Sequence, residues 1–132
     1  MRGYFFCAVL AMFSSTAAVA ETWARFARTS DLTMDMDTDS VTRKGALVAV
    51  WVKSTVLNPA KPYLVAGKRV DFMLDRWIIN CAERTNAYGP GGSYKKDGSV
   101  VTSSRGDPND FDDIVPGSGP DRVRTIVCSN SQ

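Results

Sequence analysis

Over residues 32–37 the chain alternates Leu, Thr, Met, Asp, Met, Asp, the period of two expected of a strand with one buried face. A shorter strand is expected just before it, over 23–27. After a polar turn at Arg43, Lys44 and Gly45, β-branched residues dominate 47–56 and Val48, Val50 and Val52 share one face. The segments 32–37 and 47–56 together predict an antiparallel hairpin. Residues 58–68 carry Pro59, Pro62 and Gly67 and are expected to be a loop. The longest strand candidate is 70–83, with Phe72, Leu74 and Ile78 on one face and Met73, Trp77, Ile79 and Cys81 on the other. Such a strand belongs centrally, covered on part of both faces. Gly89, Pro90, Gly91 and Gly92 predict a turn between strands at 85–88 and 99–104, and 105–113 reads as polar and turn-rich. Ser118 and Asp121 bracket a capping box with Pro120 in the first turn. Val123, Ile126 and Val127 then follow at helical spacing, so a short amphipathic helix is expected to carry Cys128 in its last turn. The fold class this predicts is α+β, mainly β: a twisted antiparallel sheet of about five to six strands with a short C-terminal helix.

The N-terminus changes the domain arithmetic. Met1, Arg2 and Gly3 precede an apolar run from Tyr4 to Phe13, then Ser14, Ser15 and Thr16, then Ala18, Val19 and Ala20. This is a signal-peptide layout with cleavage expected between Ala20 and Glu21. Its apolar run of about ten residues falls short of the roughly 20 that a membrane span needs. The expected organisation is therefore a signal peptide at 1–20 and a single domain at 21–132. Of 16 basic and 14 acidic residues, only Arg2 leaves with the signal. The near-neutral remainder offers no field for nucleic acid. Cys7 also leaves, so Cys81 and Cys128 remain as an even pair in an exported chain. They read as one disulfide pinning the helix to the sheet, with two free thiols or a metal pair as the alternatives.

The sequence contains no histidine. That excludes Ser-His-Asp and Cys-His nucleophilic sites and His-ligated zinc or haem. Catalysis would have to rest on carboxylate pairs, and no pair is set apart by its surroundings, so no catalytic residue, metal site or cofactor is expected. Asp35, Asp37 and Asp39 alternate as in a calcium loop, but Ser40 replaces the glycine and Ala46 the bidentate glutamate, leaving the solvent face of a strand as their reading. Asp107, Asp110, Asp112 and Asp113 offer a weak cation-binding cluster, and turn chemistry explains them as well. Arg105, Gly106 and Asp107 spell the tripeptide that integrins recognise and form a candidate binding site in an exposed loop. The basic pairs Lys68 with Arg69, Lys95 with Lys96 and Arg122 with Arg124 are candidate polyanion contacts, read first as solvated surface. Trp23, Trp51 and Trp77 read as core, an exposed one being the exception that would matter.

The chain resembles the surface-adhesin protein E-like domain family of proteobacteria. The resemblance lies in Trp23; in Met34 to Asp37; in Gly45 before Val48 and Trp51; in Asn80, Cys81 and Arg84; in Tyr88; in Gly98 to Ser103; in the run Ile114, Val115, Pro116, Gly117, Ser118; and in Val127 and Cys128. It implies a sheet with a C-terminal helix held by the disulfide. It also implies a non-enzymatic binding module whose partner, by family analogy, is a host matrix or plasma protein, with a homodimer through an exposed sheet edge as a further expectation. The family's named member is lipid-anchored, whereas Cys7 follows Phe5 and Phe6 rather than the small residues of a lipoprotein signal. The expected location is therefore periplasmic or secreted. Two alternatives come from other classes: an accessory or inhibitor subunit of another exported protein, and a carboxylate-based envelope glycan hydrolase.

Overall fold

The computed structural model describes residues 22–129, and the expected signal peptide at 1–20 lies outside them. Ten strands are present: β1 (Trp23–Arg28), β2 (Leu32–Asp37), β3 (Thr42–Lys44), β4 (Leu47–Val56), β5 (Tyr63–Val65), β6 (Lys68–Val70), β7 (Phe72–Asn80), β8 (Thr85–Tyr94), β9 (Val100–Ser104) and β10 (Asp107–Asp113). Among the described residues one α-helix, α1 (Gly119–Cys128), follows them. The main sheet is antiparallel in the order β1-β2-β4-β7-β8-β10, with β3 also pairing β4 and β9 also pairing β8. Eight strands thus occupy six positions, because the strands next to β4 and β8 are each broken in two. The mainly β class, the central place of β7 and the antiparallel pairing of 32–37 with 47–56 agree with the sequence expectation.

The first break is the 3-10 turn Thr38–Ser40, which separates β2 from β3. Ser40 keeps the ladder continuous across it: its hydroxyl donates to the Asp37 carbonyl at 2.7 Å and accepts the Trp51 amide at 2.9 Å. The second break lies at Arg105 and Gly106, between β9 and β10.

Three sequence expectations are corrected. Residues 89–92 are not a turn but the middle of β8. Partner register shifts between Asp75, opposite Gly91, and Trp77, opposite Tyr88, so Gly89 and Pro90 form a bulge opposite Arg76. A bulge is where a strand tolerates a proline, which has no N–H to donate. The Asp75 carboxylate also sits where a side chain on residue 91 would start, so only glycine fits. Residues 107–113 form the outer strand β10 rather than a loop, paired with β8 through Asp107, Asp112 and Asp113 and bulged between them. Edge strands accommodate proline and charge. Within 58–68, Tyr63–Val65 and Lys68–Val70 pair as a small hairpin outside the main sheet.

One face of the sheet carries the core. Met36, Val48, Val50, Val52, Trp77 and Ile79 pack there with Val123 and Val127 of α1, and strict alternation along β4 puts Val48, Val50 and Val52 on this face. Residues 123 and 127 are one turn apart and both face the sheet. Ile126 points away and is 44% exposed, so only two of the three expected apolar helix positions are buried. The Ser118 hydroxyl caps the helix by accepting the Asp121 amide at 3.4 Å, and Asp121 in turn accepts the Gly117 N–H at 2.9 Å. A disulfide joins Cys81, just after β7, to Cys128 in the last turn of the helix.

Candidate binding face

The helix covers one face of the sheet only. Strand alternation therefore assigns Trp51 and Lys53 of β4 to the opposite, open face, together with Phe72, Leu74 and Arg76 of β7 and Tyr94 of β8. Trp51 stands opposite Arg76, Lys53 opposite Leu74 and Phe72 opposite Tyr94. On the other side Asp35 stands opposite Lys53, and Trp23 and Arg25 of β1 stand opposite Asp37 and Asp35.

The polar groups on this face are ordered by specific partners. Arg25 donates to Asp35 at 3.0 Å. With Asp35 held from that side, Lys53 lies between two rings, its ammonium 4.8 Å from the Phe72 centroid and 5.9 Å from that of Trp23. Phe72 in turn stacks on Tyr94, with centroids 5.1 Å apart and planes 11° apart. A row Trp23, Lys53, Phe72, Tyr94, drawn from four strands, thus runs from β1 over β2 to β8. Cation–π contacts of this kind are worth about 0.5–1 kcal/mol at exposed sites. Arg76 reaches over Trp51, its guanidinium carbon 5.8 Å from the ring centroid. From there it donates to the Ser40 carbonyl and the Thr42 hydroxyl, both at 2.9 Å. It therefore clamps the break between β2 and β3. Desolvation lowers the Arg76 pKa, opposed by the Asp37 carboxylate, and an arginine stays charged through such a shift.

Trp23, Asp37, Trp51, Leu74 and Tyr94 line a hollow of about 240 Å³ on this face. Its walls are largely aromatic, and Asp37 is the one carboxylate among them. Asp37 also accepts the Asp39 amide at 3.0 Å as the cap of the 3-10 turn. Such a site can stack a flat or apolar group while offering one anion and nearby cations at its rim.

Of the three tryptophans, only Trp77 is in the core, where it meets Phe26 and Tyr88 edge-on. Trp23 and Trp51 are half-buried on the open face, which the sequence reading assigned to core. The signal was present in β4: once Val48, Val50 and Val52 face inward, Trp51 and Lys53 cannot. The helix side was legible too, because Cys81 shares a face with Trp77 and Ile79 and the disulfide draws α1 to it.

The candidate tripeptide lies elsewhere, at the break between β9 and β10. Arg105 and Asp107 are exposed. Gly106 has φ +62, and a Cβ there would strike the carbonyl oxygens of Gly89 and Tyr88. Its N–H donates to Ser104 at 3.0 Å, and the Asp107 carboxylate accepts the Asn109 amide at 3.0 Å. Asp35, Asp37 and Asp39 do not converge: they engage Arg25, the Asp39 amide and Thr22 respectively. Among the described residues no group of three His, Cys, Asp or Glu side chains is placed to hold a metal ion. No helix among them is long and apolar enough to cross a membrane.

The residues shared with the family resemblance have local structural roles. The Asn80 side chain accepts the amides of Ala82 and Glu83, both at 3.1 Å, closing the turn that carries Cys81. Arg84 ends that turn at φ 58, and Gly117 precedes the helix cap at φ 78. Comparison with curated proteins and with solved structures finds no significant match. The family model for surface-adhesin protein E matches residues 23–129, a span that takes in every strand, the helix and both bonded cysteines, and the chain belongs to that family.

Proposed function

We propose that the chain is an exported, non-enzymatic binding module that engages a protein partner through the open face of its sheet. The observation that carries this reading is the row of Trp23, Lys53, Phe72 and Tyr94 beside the aromatic hollow. Aromatic side chains and cations held rigidly on strands are the residue types that anchor protein interfaces. The family's description as a surface adhesin supports a host matrix or plasma protein as the partner. The disulfide and the start of the family match at residue 23 fit export. A two-carboxylate glycan hydrolase needs a pair of carboxyl groups across a cleft, and one lines this hollow.

A pull-down from host-matrix and envelope extracts tests the reading. Lys53→Glu combined with Trp51→Thr is expected to lose the captured protein while keeping a single cooperative unfolding transition, its midpoint lowered by the lost ring contacts. A partner list unchanged by that pair removes the open face from consideration. The exposed Arg105 and Asp107 are a second candidate contact on the same module, and an Arg105→Ala/Asp107→Ala arm reads them in the same experiment. Homodimerisation through the outer edge of β1 or β10 belongs to this proposal as well. Light scattering that gives a monomer mass at working concentration would remove it.

A further inference from the structure

Four large apolar side chains stand exposed at one end of the sheet: Leu57 (38%), Tyr63 (48%), Leu64 (55%) and Val100 (62%). Backbone hydrogen bonds place them together. The Leu57 amide bonds to Asp31, the Val56 amide to Asp71, the Asp71 amide to Tyr94 and the Lys95 amide to Ser99. The β1–β2 turn, the exit of β4, the β5–β6 hairpin and the β8–β9 turn therefore meet at this end. The hairpin extends from it through a two-residue turn, Ala66 and Gly67, both at positive φ, the geometry of a type I′ turn.

The same end gathers cations. Lys61, Lys68 and Arg69 lie in or beside the hairpin, and Lys95 and Lys96 in the β8–β9 turn, so the fold unites two of the basic pairs that the sequence leaves separate. The acidic residues here are engaged locally. Asp31 is held by Asn58 and Lys61, Asp71 by the Lys96 amide and Arg69, and Asp97 by Ser99. Leu64 is the cross-strand partner of Arg69, and such partners project to the same side. Arg69 lines a hollow of about 430 Å³ with Leu57 and Lys96. Leu57, Leu64, Arg69 and Lys96 thus share one surface, while Tyr63 and Lys68, one position removed on their strands, project from the other side of the hairpin.

We propose that this end of the sheet docks on an anionic lipid bilayer. Leu57 and Leu64 enter the boundary between headgroups and acyl chains, and Arg69, Lys95 and Lys96 meet the lipid phosphates. A soluble polyanion would need the cations alone. A bilayer also explains why Leu57, Leu64 and Val100 are exposed near them, because buried apolar area and attraction to anionic headgroups add at a membrane surface. The proposal uses no residue of the aromatic hollow, but the hollow beside Arg69 is also lined by Lys53 and Phe72 of the open-face row, so the variants that test it leave both in place.

The test is cosedimentation of protein lacking residues 1–20, which keeps every described residue, with vesicles of phosphatidylcholine alone or with about a third phosphatidylglycerol. Binding to the anionic vesicles only is expected. Leu57→Ser with Leu64→Ser, and separately Lys95→Glu with Lys96→Glu, should each weaken it by about tenfold or more, with near-UV circular dichroism unchanged. No binding to anionic vesicles, equal binding to both vesicle types, or undiminished binding by the serine pair would overturn the proposal. The last result would reduce the surface to simple polyanion attraction.

Discussion

Two residues show how local chemistry constrains this sheet. Gly106 sits where the outer strand breaks, at positive φ and against two backbone carbonyls. Gly106→Ala is therefore expected to cost about 2 kcal/mol or more, read as a shift of the urea midpoint. A loss of partner binding on altering residue 106 would thus report fold rather than recognition, which is why Arg105 and Asp107 are the informative positions. Asp75 lies under the core-side surface of β7, and burial raises its pKa. The folded chain then holds that proton more tightly than the unfolded chain. Stability falls as pH rises from the ordinary carboxylate value through the raised folded value, and the cost of the charge persists above it. Asp75→Asn should unfold at a higher temperature than wild type at pH 7. The difference should vanish at about pH 3, where the carboxyl is neutral in both states.

At the scale of elements, α1 depends on attachment. Its ten residues are fewer than an isolated helix needs in water, so its stability comes from the Ser118 cap, from Val123 and Val127 against the sheet, and from the disulfide. The bonded cysteines are 47 residues apart. On the chain-entropy model, closing a loop of that length contributes roughly 4 kcal/mol, a large part of the 5–15 kcal/mol typical of a whole domain. The variant Cys81→Ser/Cys128→Ser is expected to lose about that much in urea unfolding. A loss under 1 kcal/mol would mean that apolar packing alone holds the helix. The strands show where sequence reading stops. Val48, Val50, Val52 and the capping signal of Ser118 announce their elements because a local period or cap determines them. Pro90 and Gly91 suggest a turn, yet they lie in β8 because Arg76 and Asp75 of the neighbouring strand require a bulge and a missing side chain there. Pro108 and the aspartates of 107–113 look like loop for a similar reason, since an outer strand tolerates residues that a central one rejects.

For the molecule as a whole, the decisive asymmetry is one helix on a two-faced sheet. Its location was legible from Cys81, which shares parity with Trp77 and Ile79, and the opposite parity of Trp51 and Lys53 followed from the same alternation. What the sequence could not reveal is lateral assembly: that Trp23 of β1, Lys53 of β4, Phe72 of β7 and Tyr94 of β8 fall into one row depends on strand order, and no local period encodes that. Within the family span the cover over the core is also the last element to be made during synthesis. Trp77 and Ile79 must wait for Val123 and Val127, which emerge more than forty positions later. Until then the growing sheet presents its greasiest surface bare, and Cys81 has no proper mate. A chain halted before residue 119 would therefore be a sticky sheet whose Cys81 lacks its native partner, and one helix supplies both the missing cover and the second cysteine.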